Sequence, residues 1–180
     1  RALQLVSVLR PNRPVLQIGF PYVDVLKLPQ VVFSGAELLL DDSAASVNAA
    51  LERLQPSAVV VELPSNPLLR CVDLPTIARL AHQQGIPVIA DDTIGSAINV
   101  DALPHADLVF SSLTKSFAGR GDVLAGSLVL SHHSPWRAQL AAASHSLQPL
   151  AELADLDAIA LEQGSEDVVA RVHQLNANAL

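Results

Sequence analysis

Cysteine occurs once in this 180-residue chain, at Cys71, and methionine does not occur at all. A single thiol excludes a disulfide framework and a cysteine-rich zinc site, and it fits a reducing compartment, the cytoplasm. Charge is also scarce: 16% of residues carry it, against roughly 25% in an ordinary globular domain. Positive charge is the rarer sign. Eleven Lys and Arg against eighteen Asp and Glu leave a formal charge of −7, which argues against nucleic acid or an anionic membrane as a partner. Long apolar runs are missing too. The longest candidate, Val123 to Leu130, is interrupted by Gly126 and Ser127 and falls far short of the ~20 residues of a membrane helix. There is no signal-peptide pattern, no internal repeat and no Gly/Ser linker. What is abundant is apolar side chain, 50% of the sequence, enough for a large core and too much for disorder. The length fits one domain. A start at Arg1 and the lack of any methionine read as a piece of a longer protein.

Strand-like and helix-like periods alternate through the first two thirds. Val15 to Phe20, Glu37 to Leu40, Ala58 to Leu63, Pro87 to Ala90 and Leu108 to Phe110 are short apolar runs of buried-strand character. Between them lie amphipathic helices. Ser43 caps one whose face is Val47, Ala50, Leu51 and Leu54, closed by Pro56. Asp73 opens another, with Leu74, Ile77, Ala78 and Ala81 on one side and Gly85 as its left-handed stop. The alternation predicts an α/β sandwich of three layers: a mostly parallel sheet with helices on both faces. From Pro135 onward the periods are helical, ending on a stripe of Val168, Val169, Val172 and Leu175. Residues 1–150 are expected to form the body of one large domain and residues 151–180 to lead toward a further domain.

Familiar nucleotide and hydrolase signatures fail. Gly121 to Gly126 has the outline of a phosphate loop, but Ser127 stands where its lysine belongs. No Gly-x-Ser-x-Gly elbow exists. His132 and His133 follow a strand and read as an exposed turn, and Asp41-Asp42 as the lead into a helix.

Three segments place polar residues at the C-terminal ends of apolar strands, where open α/β sheets bind ligands. They are Glu62-Leu63-Pro64-Ser65-Asn66-Pro67, Asp91-Asp92-Thr93 and Ser112-Leu113-Thr114-Lys115. Singly, each has an ordinary explanation as a turn, a cap or a solvated lysine. Jointly they match what pyridoxal phosphate needs: an amine for a Schiff base, a carboxylate for the pyridine nitrogen, hydroxyls or amides for phosphate, and a donor near the phenolic oxygen.

The run from Glu62 through Gly126 resembles the Cys/Met-metabolism pyridoxal-phosphate enzymes, fold type I, whose relatives carry E-x-P-S-N-P, V-D-N-T and S-x-T-K segments. The likeness is greatest to the fungal-type cystathionine γ-synthases. It rests on Phe20-Pro21-Tyr22-Val23-Asp24, Pro64 to Arg70, Asp92-Thr93-Ile94-Gly95, Ser112 to Lys115, Gly126 to Leu130, and Asp157 to Glu162. This resemblance implies an aspartate-aminotransferase-like large domain with pyridoxal 5′-phosphate as cofactor. Lys115 would form the Schiff base, Asp91 would pair with the pyridinium nitrogen, and Ser112 and Thr114 would bind phosphate. Tyr22 would stack on the ring, and Asn66 would sit near the phenolic oxygen.

The activity implied is γ-replacement on an activated homoserine by cysteine, giving cystathionine, in a protein that is a dimer or tetramer at full length. Alternatives are γ-elimination, sulfhydrylation, or a non-catalytic paralogue. Val25, Arg120-Gly121-Asp122, Gln163 and Glu166 depart from the family pattern. The family's phosphate-binding helix N-terminus would precede residue 1, and its substrate-carboxylate arginine would follow Leu180.

Overall fold

The computed structural model describes residues 1–147 and 153–179. The Val- and Ile-rich runs become strands β1 (Val15–Ile18), β2 (Ala36–Leu39), β3 (Val59–Glu62), β4 (Val88–Asp91), β5 (Leu108–Ser112) and β6 (Gly126–Leu130). They form one sheet in the order β2-β1-β3-β4-β5-β6. All neighbours run parallel except β5 and β6. The reason is local: the connection through residues 113–125 contains no helix, and a parallel return needs a crossover of that kind.

Helices α1 (Ala2–Ser7), α2 (Val23–Lys27), α3 (Pro29–Val32), α4 (Ala44–Leu54), α5 (Leu74–Gln83), α6 (Arg137–Ser146), α7 (Asp155–Ser165) and α8 (Val168–Asn178) complete the described elements. The expected caps hold. Ser46 N–H donates to the Ser43 hydroxyl at 3.4 Å, and Thr76 N–H donates to the Asp73 carboxylate at 3.1 Å.

Side-chain alternation divides the core between the two faces of the sheet. Val59, Val61, Val88 and Ala90 face α4 and α5, meeting Val47, Leu51, Ile77 and Ala81. Val60, Ile89 and Leu108 face the other way, against Leu5 and Val6 of α1 and Leu140 of α6. Three layers result, as the period change along the chain predicts. Ile77 is 1% exposed, so Ile77→Ala is expected to cost about 2–5 kcal/mol. Urea unfolding with an unchanged m-value checks it, and a loss below 1 kcal/mol would contradict this packing.

The tail is helical, as its periods predict. Of the stripe Val168, Val169, Val172 and Leu175, α8 buries Val172 at 3%, while Val169 and Leu175 are both 53% exposed. The helix touches the body along a narrow line. The expected division at 150/151 lies outside the described residues.

Strand β1 is flanked by β2 on one side and β3 on the other. The chain therefore changes its winding direction at β1, and the crevice beyond the C-terminal ends of β1 and β3 is where such sheets take ligands.

Candidate active site

Close by, at the C-terminal ends of β3, β4 and β5, lies a cleft of about 690 Å³ that gathers Tyr22, Asn66, Asp91, Ser112, Thr114 and Lys115. All six predicted side chains are brought together. Tyr22 stands at the N-terminus of α2, just beyond β1, and is half exposed. Asn66 sits on the loop after β3. Ser65 closes that loop: its N–H donates to the Arg70 carbonyl at 3.0 Å, and its carbonyl accepts the Leu69 N–H at 2.8 Å. Both Leu63-Pro64 and Asn66-Pro67 are cis.

Asp91 ends β4 and is 5% exposed. Its Oδ1 accepts both the Thr93 N–H at 3.0 Å and the Thr93 hydroxyl at 2.6 Å. Thr93 Oγ1 in turn accepts the Ser112 N–H at 2.9 Å, so one threonine ties β4 to the end of β5. Among the described residues Asp91 Oδ2 has no such partner. Burial raises the Asp91 carboxyl above the ordinary range, and the Thr93 hydrogen bonds oppose that rise. Asp92 points to the opposite face and lines a separate cavity with Val100 and Phe117. Its carboxyl too is raised by burial.

Thr114 lines the cleft, but its hydroxyl is shared with the chain beside β6. It accepts the Ala125 N–H at 3.1 Å and lies 3.4 Å from the Ala125 carbonyl. Lys115 is exposed on the turn after β5 and forms no ion pair among the described residues. No arginine lines this cleft among the described residues.

One residue in the cleft was not anticipated as part of the site. Glu62, the last residue of β3, is paired in register with Asp91, so both carboxyls leave the sheet on the same face. It is 5% exposed and its Oε2 is buried without a hydrogen-bond partner among the described residues. Its pKa is pushed up to about 7, by burial first and by the Asp91 charge second, against the backbone N–H groups of Asn66 and Tyr22. Its position within the strand-end segment gave no separate signal, because what sets it apart is a cross-strand neighbour.

The Glu62 shift has a measurable sign. In the unfolded chain the carboxyl ionises near ~4.3, but when folded only near 7. Between those values the folded state binds more protons, so this contribution to stability is complete below about pH 4 and is lost as pH rises through about 7. Asp91 and Asp92, shifted the same way, add to the slope. Glu62→Gln is expected to flatten the decline by up to about 3 kcal/mol. Denaturant titrations at several pH values check this, and identical slopes for the two proteins would contradict it.

The sequence and the fold are shared with known proteins. Residues 34–180 match the model of the Cys/Met metabolism PLP-dependent enzymes. The cystathionine gamma-synthase of Neurospora crassa is 37% identical over 99% of this chain and 30% of its own length. Among solved structures, a cystathionine gamma synthase from Xanthomonas oryzae pv. oryzae superposes with a TM-score of 0.79 at 30% identity, over 99% of this chain and 47% of that one. A methionine gamma lyase from Micromonospora echinospora gives a TM-score of 0.73 at 29% identity, over 94% of this chain and 46% of that one. The chain thus spans about three tenths of the curated relatives and just under half of the solved ones. No helix among the described residues is long and apolar enough to cross a membrane. By the extent of the match and by its three-layer fold, the chain belongs to the Cys/Met metabolism family of PLP-dependent enzymes.

Proposed function

We propose that this chain is the cofactor-binding part of an enzyme of transsulfuration that replaces the γ-substituent of an activated homoserine with cysteine, giving cystathionine. The observation that carries the reading is convergence: Lys115, Asp91, Asn66, Tyr22, Ser112 and Thr114, far apart in sequence, line one cleft at the C-terminal edge of the sheet.

The cleft suits pyridoxal phosphate. It offers a buried carboxylate with an oxygen that Thr93 leaves over, a lysine that forms no ion pair among the described residues, and two hydroxyl residues at the end of β5. When bound, the cofactor supplies an aldehyde carbon for an amine and a cationic ring that draws electrons from the substrate α-carbon. Asp91 would hold the proton on the pyridine nitrogen. Tyr22 would cover one face of the ring, Asn66 would serve its phenolic oxygen and the substrate carboxylate, and Ser112 and Thr114 would bind the phosphate. Lys115 is the residue whose amine would hold the cofactor at its aldehyde carbon. Its amine, when free, would serve as general base for the substrate α-proton. The same reading includes a homo-oligomer in the cytoplasm, in keeping with the exposed Phe20, Leu68 and Leu69 at this edge.

A second reading, γ-elimination, is favoured by the likeness to the methionine gamma lyase. The two share every residue role above and differ in whether a thiol adds. Protein expressed from its complete reading frame, loaded with pyridoxal phosphate, should form cystathionine from an O-acylhomoserine and cysteine. Release of 2-oxobutyrate with cysteine unconsumed would select elimination, and the absence of both products with no yellow band would mark a non-catalytic relative. The point of attachment is testable separately. The sequence has two lysines, Lys27 and Lys115, so borohydride reduction and peptide mapping should find the pyridoxyl group on Lys115. Label on Lys27 would overturn the assignment.

A further inference from the structure

We propose that Arg171 of α8 is the positioning residue that fixes the turn carrying Lys115. The inference rests on the reading that Lys115 attaches the cofactor. Lys115 sits on an isolated helical turn, in which Ala118 N–H donates to the Leu113 carbonyl and Gly119 N–H to the Lys115 carbonyl, both at 2.9 Å. A single turn has no next turn to satisfy its last carbonyls. Arg171 supplies the donors. Its Nη2 lies 3.1 Å from the Ser116 carbonyl, 3.0 Å from that of Phe117 and 2.8 Å from that of Gly164. One guanidinium therefore joins the residues just after Lys115 to the end of α7. Asp167, one turn earlier on the helix, accepts from Nη1 and orients the group.

Two glycines make the approach possible. A Cβ at Gly119, which is held at φ +76°, would lie 2.5 Å from Arg171 Cζ, and one at Gly164 would overlap the Ala118 carbonyl. The Arg171 side chain is 24% exposed and its Nε is buried without a hydrogen-bond partner among the described residues. An unpaired buried donor costs stability, so the guanidinium is held here by the charge-assisted carbonyl contacts of its other end. Lysine cannot replace it, since a single ammonium cannot meet the three carbonyls and Asp167 together as two guanidinium nitrogens do.

Hydrogen–deuterium exchange on cofactor-free protein reads the turn without any chemistry. Arg171→Gln should raise exchange within residues 114–120 while β3 and β4 stay protected. When pyridoxal phosphate is added to the cofactor-free protein, the variant should attach it to Lys115 about 100-fold more slowly, as followed by borohydride trapping, the scale of a misplaced reacting group. Arg171→Lys should not rescue either measurement. Gly164→Ala is the second variant should Arg171→Gln not fold: alanine favours helix, yet its methyl displaces Ala118, so the same local signature is expected. Unchanged exchange at 114–120, or a rise spread evenly over the sheet, would overturn the proposal. Trapping on Lys27 in the wild type would instead defeat the reading of the site, and with it the purpose assigned to Arg171. Trapping on Lys115 at equal rates in all variants would defeat the positioning role alone.

Discussion

Asp91→Asn in the loaded, complete enzyme should lose turnover by about 100- to 1000-fold, the equivalent of leaving one member of a buried charge pair unmatched, while Asp92→Asn should stay within a few-fold of wild type. The two residues are neighbours of the same chemistry, and orientation separates them. Asp91 faces the cleft with Lys115, and Asp92 lines the cavity on the other side of the sheet. Asparagine at 91 keeps the shape and can still meet Thr93, but it cannot balance a proton on a ring nitrogen, so the ring loses its pull on the α-carbon. Stability should move the other way. The Asp91 charge helps push Glu62 up, and neutralising it relieves that repulsion, so cofactor-free Asp91→Asn should melt no lower than wild type at neutral pH. Loss of activity with retained or raised Tm separates a chemical role from damage to the fold. The reverse ranking of Asp91 and Asp92 would place the register wrong by one residue.

The alternation that ranks these two residues was legible in the sequence because a strand end has period two. The same holds for β1, β3 and β4, whose apolar runs are bounded by Gly, Pro or Asp, and for α4 and α5, whose caps and apolar faces are local signals. Helix α1 was not legible. It buries Ala2, Leu3, Leu5 and Val6 around the polar Gln4 and Ser7, six residues with no capping side chain, too short a stretch for periodicity to decide. Nor could the sequence reveal what depends on juxtaposition: Glu62 beside Asp91 across two strands, Thr93 between Asp91 and Ser112, or Arg171 on a turn more than fifty positions away. Each is a polar residue whose meaning comes from a partner remote in the chain. The exposed half of the α8 stripe shows the converse limit, since an apolar period says which residues share a face and not what covers it.

Lys115→Arg is expected to have the largest effect of all. Arginine keeps the charge, the length and the donors, so any structural or electrostatic role of Lys115 survives the change. What it cannot do is lose its proton near neutral pH, and both tasks assigned to Lys115 require a free amine. Attachment to the cofactor should vanish, seen as loss of the yellow band and of borohydride label, and the cofactor should leave on dialysis. Turnover should drop by at least the ~100- to 10,000-fold that a general base contributes, with the lost attachment adding to it. Lys115→Ala, given a small primary amine in solution, offers the complementary test. The amine can enter the space beside Thr93 and Ser112 and supply the missing base, so partial recovery that grows with amine concentration and pH is expected. Recovery in the alanine variant together with none in the arginine variant would tie the loss to proton transfer at this position. A Lys115→Arg protein that stays yellow and active within tenfold of wild type would show that another group in the cleft carries the chemistry.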